Sequence, residues 1–312
     1  MRILVIGAGA LGGYFGGRLL QAGRDVTFLV RPRRAAQLQA SGLVIRSPAG
    51  DFTLPHPPTV QSHELVAPYD LILLGCKAYD LEAAIESFAP AVTDRTAILP
   101  LLNGMRHLDV LERRFGTAAV LGGQCVISAT LNAAGDILHL NDLHTLTFGE
   151  LRSARSERAA AIDAELAHAS FQTRLSDAIV LEMWEKWTLI AALAGVSCLM
   201  RAMVGDVIAA GGTDLPATLY EECAQIAADN GFPPRQPLRE RSVAALTQPG
   251  SALAASMLRD IENHGATEVE HLLGDLSRRR RAAPSSRSLL DLAYIHVKAY
   301  EVRRLRERSA QG

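Results

Sequence analysis

Lys186 stands at the mouth of EMWEKWTLIAALAG, residues 182–195, a segment that then runs almost unbroken through Trp187, Leu189, Ile190, Ala191, Ala192 and Leu193. An ammonium against apolar surface loses hydration, so it pairs, snorkels to water, or has a lowered proton affinity that chemistry can use. In the last case it would polarise a carbonyl as a cation and then pass it a proton. Glu182 offers the competing account, an i,i+4 ion pair in the favourable orientation worth ~0.2–0.5 kcal/mol. The residues themselves leave both accounts open. Further on, SMLRDIENHGATEVE (256–270) carries Ser256, Asp260, Glu262, Glu268 and Glu270, most of them expected as surface charges. His264 and His271 flank these acids and read as structural or exposed. No His and carboxylate spacing matches a metal motif, so no metal is expected.

GAGALG, spanning Gly7, Ala8, Gly9, Ala10, Leu11 and Gly12, fits G-x-G-x-x-G. The first glycine allows a tight turn, the second the approach of a pyrophosphate, and the third close helix-to-strand packing. The motif gains weight from its context, because it follows an apolar run, RILVI, and opens a helix-compatible stretch whose N-terminus can receive phosphate. A second apolar run, Val26 to Val30, ends at Arg31 with Arg33 and Arg34 behind it. An acid at that strand end accepts from a ribose 2′-hydroxyl, whereas an arginine accommodates a 2′-phosphate. Asp25 lies at the wrong end, so NADP(H) is expected over NAD(H). Lys77, closing another run, adds a second positive group.

The elements that must position these residues follow from periodicity. Residues 2–6, 26–30, 70–78 and 96–104 read as buried parallel strands and 43–54 as a hairpin around Pro48 to Gly50, so the N-terminal part is a Rossmann-type α/β domain with a mostly parallel sheet. Ligands of such sheets bind outside the carboxyl ends of the strands, which would turn Gly7–Gly12, Arg31, Lys77 and Asn103 toward one crevice. After TLTFGE (145–150) strand signals fade, SARSERAAAIDAELAHA suggests one more helix, and from about Asp177 the chain reads as helical. Breaks at 209–214, 230–234 and 282–286 separate those helices. Two domains are expected, 1–177 for the nucleotide and an all-helical 178–312 for substrate and catalysis.

Composition narrows the function class. With 48% hydrophobic and 21% charged residues and a formal net charge of -1, nothing attracts the 312-residue chain to nucleic acid or anionic membrane. Four arginines at 278–281 read as a solvated helix end. No apolar span reaches the ~18 residues of a transmembrane helix. Cys76, Cys125, Cys198 and Cys223 show no paired spacing, which suits a reduced cytoplasmic protein. A homodimer is compatible with an apolar helical domain.

Together the order and spacing of GAGALGG, Lys77-Ala78, Leu102-Asn103-Gly104, Trp184-x-Lys186, Ser256-Met257-Leu258-x-Asp260-Ile261 and Thr267-Glu268 resemble the ketopantoate reductase (2-dehydropantoate 2-reductase) family over nearly the whole chain. The resemblance implies NADPH-dependent reduction of a 2-oxo acid, ketopantoate to pantoate foremost. Lys186 then matches the general acid and Glu268 the glutamate beside nicotinamide and reacting oxygen. Ser256 matches the substrate-binding serine, Asn103 the asparagine near cofactor and substrate, and Lys77 the cofactor-contacting lysine. Ile190 and Ala194 depart from the pattern, standing where the best-known members carry substrate-binding asparagines. That departure leaves the particular 2-oxo acid open. The alternatives are a related two-domain dehydrogenase with another small substrate, or a non-catalytic NADP-binding sensor.

Overall fold

The structure, a computed structural model, describes residues 1–66, 68–153, 155–281 and 288–310. The chain runs through β1 (Arg2–Ile6), α1 (Ala10–Gln21), β2 (Asp25–Leu29), α2 (Pro32–Ser41), β3 (Leu43–Arg46), β4 (Phe52–Leu54), β5 (Thr59–Val60) and β6 (Leu71–Leu74). It continues with α3 (Leu81–Phe88), β7 (Ala97–Pro100), α4 (Arg106–Phe115), β8 (Leu121–Leu131), β9 (Ile137–Glu150), α5 (Glu157–Leu166) and β10 (Gln172–Leu175). Helices follow: α6 (Ile179–Met200), α7 (Val204–Ala209), α8 (Leu215–Asp229), α9 (Gln236–Leu246), α10 (Ser256–Glu262), a π-helical turn (Glu270–Gly274), α11 (Asp275–Arg278) and α12 (Leu289–Ser309). Contacts divide the chain into two compact units, Met1–Leu102 with His107–Val180, and Asn103–Arg106 with Leu181–Gly312.

In the first unit, β5-β2-β1-β6-β7 form a sheet that is parallel throughout. β6 and β7 are buried at every residue, which is why they read as unbroken apolar runs instead of alternating ones. The hairpin expected at 43–54 is present as β3 antiparallel to β4. It belongs, however, to a second sheet that periodicity did not announce, ordered β10-β9-β3-β4, with β8 also paired to β9. Helix α1 contacts both sheets. A Cβ on Gly16 would lie 2.6 Å from the Phe28 ring of β2, and one on Gly17 would lie 2.7 Å from Ile45 of β3, so glycine on both sides lets the helix fit. Ile3, Val5, Phe15, Leu19, Phe28, Ile45, Leu99, Ile137 and Phe148 join one core. The strand β10 corrects the expectation that strands end at residue 150. Its residues alternate between exposed and half-buried, and a four-residue, largely polar edge carries little apolar signal.

The described part of the second unit is helical, and α6 supplies many of its buried residues, among them Met183, Trp184, Trp187, Ala191, Ala192, Val196 and Cys198. The breaks at 209–214 and 230–234 fall between α7, α8 and α9, while the break at 282–286 lies outside the described residues. The arginine run differs from the solvated end expected of it. Arg279 Nε pairs with Asp275 at 3.0 Å, its guanidinium 5.6 Å from the Trp187 ring centroid, and Arg280 pairs with Asp291 at 2.8 Å and with the Ser288 hydroxyl at 2.7 Å. Helix length and neighbouring acids, neither visible in RRRR alone, turn two of these side chains inward. Among the described residues no helix is long and apolar enough to cross a membrane.

Candidate active site

The glycine turn joins β1 to α1 at close range. Gly7 follows β1 with φ +85°, a left-handed conformation that glycine adopts without strain. A Cβ on Gly12 would sit 2.1 Å from the Gly7 carbonyl oxygen, so the third glycine is what lets α1 start this close to β1. A Cβ on Gly7 or Gly9 would meet nothing within 4 Å, leaving that side of the loop open. Gly9 caps α1 without a side-chain bond, so no side chain occupies the position where an N-terminus binds anions. The loop of Gly7, Ala8, Gly9, Ala10, Leu11 and Gly12 thus has the room and the open helix N-terminus that a dinucleotide pyrophosphate requires.

Arg31 caps α2 at the carboxyl end of β2, and its Nη2 lies 2.7 Å from Asp80 Oδ1. The neighbouring carboxylate raises the arginine's proton affinity further, so the guanidinium is firmly cationic. Lys77 opens the turn Ala78–Asp80 after β6, its carbonyl accepting from the Asp80 amide at 2.9 Å. Arg34 does something the sequence did not suggest. Its Nε donates to the Ala8 carbonyl at 3.0 Å and its Nη1 donates to Gln37 at 2.6 Å, so it braces the glycine loop from α2.

Lys186, Ser256 and Glu268 lie in the second unit, and so does Asn103, which follows β7 in sequence but belongs with Asn103–Arg106 by its contacts. Lys186 Nζ donates to Asn103 Oδ1 at 2.8 Å. The next residue, Trp187, is fully buried and donates from Nε1 to the Leu272 carbonyl at 2.9 Å, which fixes the rotation of α6 beside Lys186. The charge that α6 truly buries is Glu185. Its carboxylate, 1% exposed, accepts from Arg235 Nε at 2.8 Å, Nη2 at 2.5 Å and the Arg235 amide at 2.9 Å. The sequence drew attention to the lysine and missed this pair, because Arg235 lies fifty residues away.

Ser256 is exposed at the first residue of α10. The Ser197 hydroxyl, three turns of α6 beyond Lys186, accepts from the Ala255 amide at 3.3 Å and so ties the start of α10 to the same helix. Glu268 is half-buried in a stretch that α12 holds: Tyr300 donates to the Gly265 carbonyl at 2.8 Å and Glu301 accepts from the Thr267 amide at 2.5 Å.

His271 is the residue that sequence reading set aside. It is 5% exposed, and a Cβ on Gly104, itself at φ +81°, would lie 2.9 Å from its ring carbon Cδ2. The ring is hydrogen-bonded to the Asn103 main chain; burial pushes its pKa down, and the nearby Glu268 and Asp275 carboxylates counteract that only in part. Its amide also donates to the Glu268 carbonyl at 3.0 Å. His271 thus underlies the Asn103 loop that the Lys186 ammonium binds, and its position three residues after Glu268 was the available signal. Of the two positions lacking asparagine, Ile190 is half-buried, whereas Ala194 is 1% exposed.

Comparison with known proteins gives these features a family. Residues 3–153 match the model of Ketopantoate reductase PanE/ApbA, and residues 178–301 match that of its C-terminal part. The uncharacterized oxidoreductase YkpB of Bacillus subtilis is 35% identical over 302 residues, 96% of this chain and 99% of the relative. The crystal structure of 2-dehydropantoate 2-reductase from Methylococcus capsulatus superimposes with a TM-score of 0.85 at 27% identity, covering 97% of this chain and 98% of that one. A ternary structure of D-mandelate dehydrogenase with NADH and anilino(oxo)acetate shares the fold, with a TM-score of 0.85 at 23% identity, covering 97% of this chain and 99% of that one. The chain therefore belongs to the ketopantoate reductase family and is an oxidoreductase acting on CH–OH groups.

Proposed function

We propose that the protein reduces a 2-oxo acid to the 2-hydroxy acid with NADPH, with ketopantoate to pantoate as the foremost reaction. The single observation that carries this reading is the 2.8 Å bond from Lys186 Nζ to Asn103 Oδ1, which presents an oriented ammonium in the helical unit. The ammonium polarises the carbonyl and, as the alkoxide forms, gives it a proton, a role worth ~10²–10⁴ in rate. Bound nicotinamide supplies the hydride. Asn103 keeps Nζ aimed, Glu268 fixes the substrate oxygen by hydrogen bonding, and Ser256 takes substrate polar groups. Gly7–Gly12, Arg31 and Lys77 hold the dinucleotide, with Arg31 accommodating the 2′-phosphate.

Ile190 supports a second, narrower reading on the substrate. Without an amide four residues after Lys186, the helix lacks a donor for hydroxyl or carboxylate groups, which opens the site to a 2-oxo acid with an apolar branch beside ketopantoate. Measuring NADPH oxidation against a panel of 2-oxo acids, ketopantoate and 2-oxoisovalerate included, tests both. Tight nucleotide binding with no oxidation on any member would establish a nucleotide sensor in place of a reductase.

A further inference from the structure

Among the described residues of the parallel sheet, the end of β2 carries no carboxylate, yet Arg31 has one against it. The acid comes from elsewhere: Asp80 closes the turn after β6, and in the order β5-β2-β1-β6-β7 the pair therefore reaches across the end of β1, where the glycine turn begins. The guanidinium is 69% exposed and the carboxylate 34%, so both are within reach of a ligand. Asp80 also stands at the N-cap of α3 but makes no side-chain capping bond there. Its side chain is engaged with Arg31 and not with its own helix.

We infer that Asp80 is a cofactor-specificity residue, supplying from β6 the ribose-binding carboxylate that this fold ordinarily places at the end of β2, so that NADH is accepted alongside NADPH. This rests on the reading of Arg31 as the 2′-phosphate contact. A 2′-phosphate carries up to two negative charges, and on the Arg31 donors that the single Nη2 bond leaves open it lies beside the Asp80 carboxylate, which repels it. A ribose 2′-hydroxyl instead donates to Asp80 and leaves the Arg31 pair intact. Arg34 does not relieve the conflict, because its Nε and Nη1 are committed to Ala8 and Gln37 and its Nη2 is buried. The two cofactors thus use the same pair in opposite ways.

The test is calorimetric titration of NADPH and of NADH into the whole protein, as wild type, Asp80→Asn, Asp80→Ala and Arg31→Ala, at fixed low salt. Both Asp80 variants should raise the ratio of Kd for NADH to Kd for NADPH by about fivefold, the scale of one exposed charge interaction. Arg31→Ala should lower that ratio by weakening NADPH. A ratio within twofold of wild type, or a lower one, in both Asp80 variants, with Arg31→Ala still weakening NADPH, overturns the role of Asp80 and spares that of Arg31. An unchanged ratio in Arg31→Ala overturns the phosphate reading and this inference with it.

Discussion

Removing the Arg235 side chain should unfold the helical unit more readily, by an amount the geometry allows to be worked out. Arg235→Ala takes away two charge-assisted bonds, at 2.8 and 2.5 Å, and leaves the Glu185 carboxylate, 1% exposed, with the residue 235 amide at 2.9 Å. Breaking a buried pair by deleting one partner costs ~3–5 kcal/mol. Arg235 itself is 53% exposed, so water reaches its side of the pair and the lower end, about 3 kcal/mol, applies. The assay is built into the molecule, since both tryptophans, Trp184 and Trp187, lie on α6 beside Glu185 and report that unit alone. With a urea m-value of about 2 kcal/mol/M, the fluorescence midpoint should fall by about 1.5 M. Arg235→Ala with Glu185→Gln should recover part of the loss, because the stranded charge is gone. A midpoint shift below about 0.5 M for Arg235→Ala would show that solvent serves Glu185 as well as the arginine does, and would remove the pair as the anchor of α6.

Other expectations follow from burial and charge. Burial holds the His271 pKa below its unfolded value, so the folded state resists protonation; stability should be full above about pH 6.5 and decline as pH falls through that unfolded value toward the folded one. Melting temperatures measured from pH 8 to pH 5 should show this decline, and His271→Asn should flatten it; an equal slope in the variant would assign the effect to other groups. Burial also pushes the Cys198 thiol up to about 12 and the Cys223 thiol higher still, so neither should react with a disulfide reagent at pH 8 until urea unfolds the helical unit. Labelling of either in the native protein would contradict their placement. Ile190→Asn should raise kcat/KM for ketopantoate relative to 2-oxoisovalerate by about tenfold, the scale of one gained hydrogen bond. Ala194→Asn, by contrast, buries an amide at a position 1% exposed and should cost about 1–3 kcal/mol of stability, read by the same tryptophan melt.

What the sequence made legible was local or periodic. The glycine turn announces itself because one backbone geometry demands glycine at Gly7 and one close approach demands it at Gly12. The parallel strands announce themselves because burial on both faces leaves only apolar residues in LILL and AILP. The roles that went unseen depend on partners distant in the chain. Arg34 looked like one more cofactor arginine until the Ala8 carbonyl was found within its reach, and the arginine run looked solvated until Asp275 and Asp291 were placed beside it. Glu185 drew no notice next to Lys186, since only the fold brings Arg235 to it. His271 was discounted as a lone histidine, although what gives it a place under Asn103 is the positive-φ Gly104, whose missing side chain leaves room for the ring. Strand β10 escaped because an edge needs backbone partners more than apolar side chains.

The central claim is that Lys186 is the proton donor in a 2-oxo acid reduction. Steady-state NADPH oxidation by wild type and Lys186→Ala, run on the best substrate of the 2-oxo acid panel, tests it most directly. The account predicts turnover by wild type and a fall of at least ~100-fold in kcat for the variant, with the NADPH Kd within about twofold. A variant that keeps more than a tenth of wild-type kcat would contradict it.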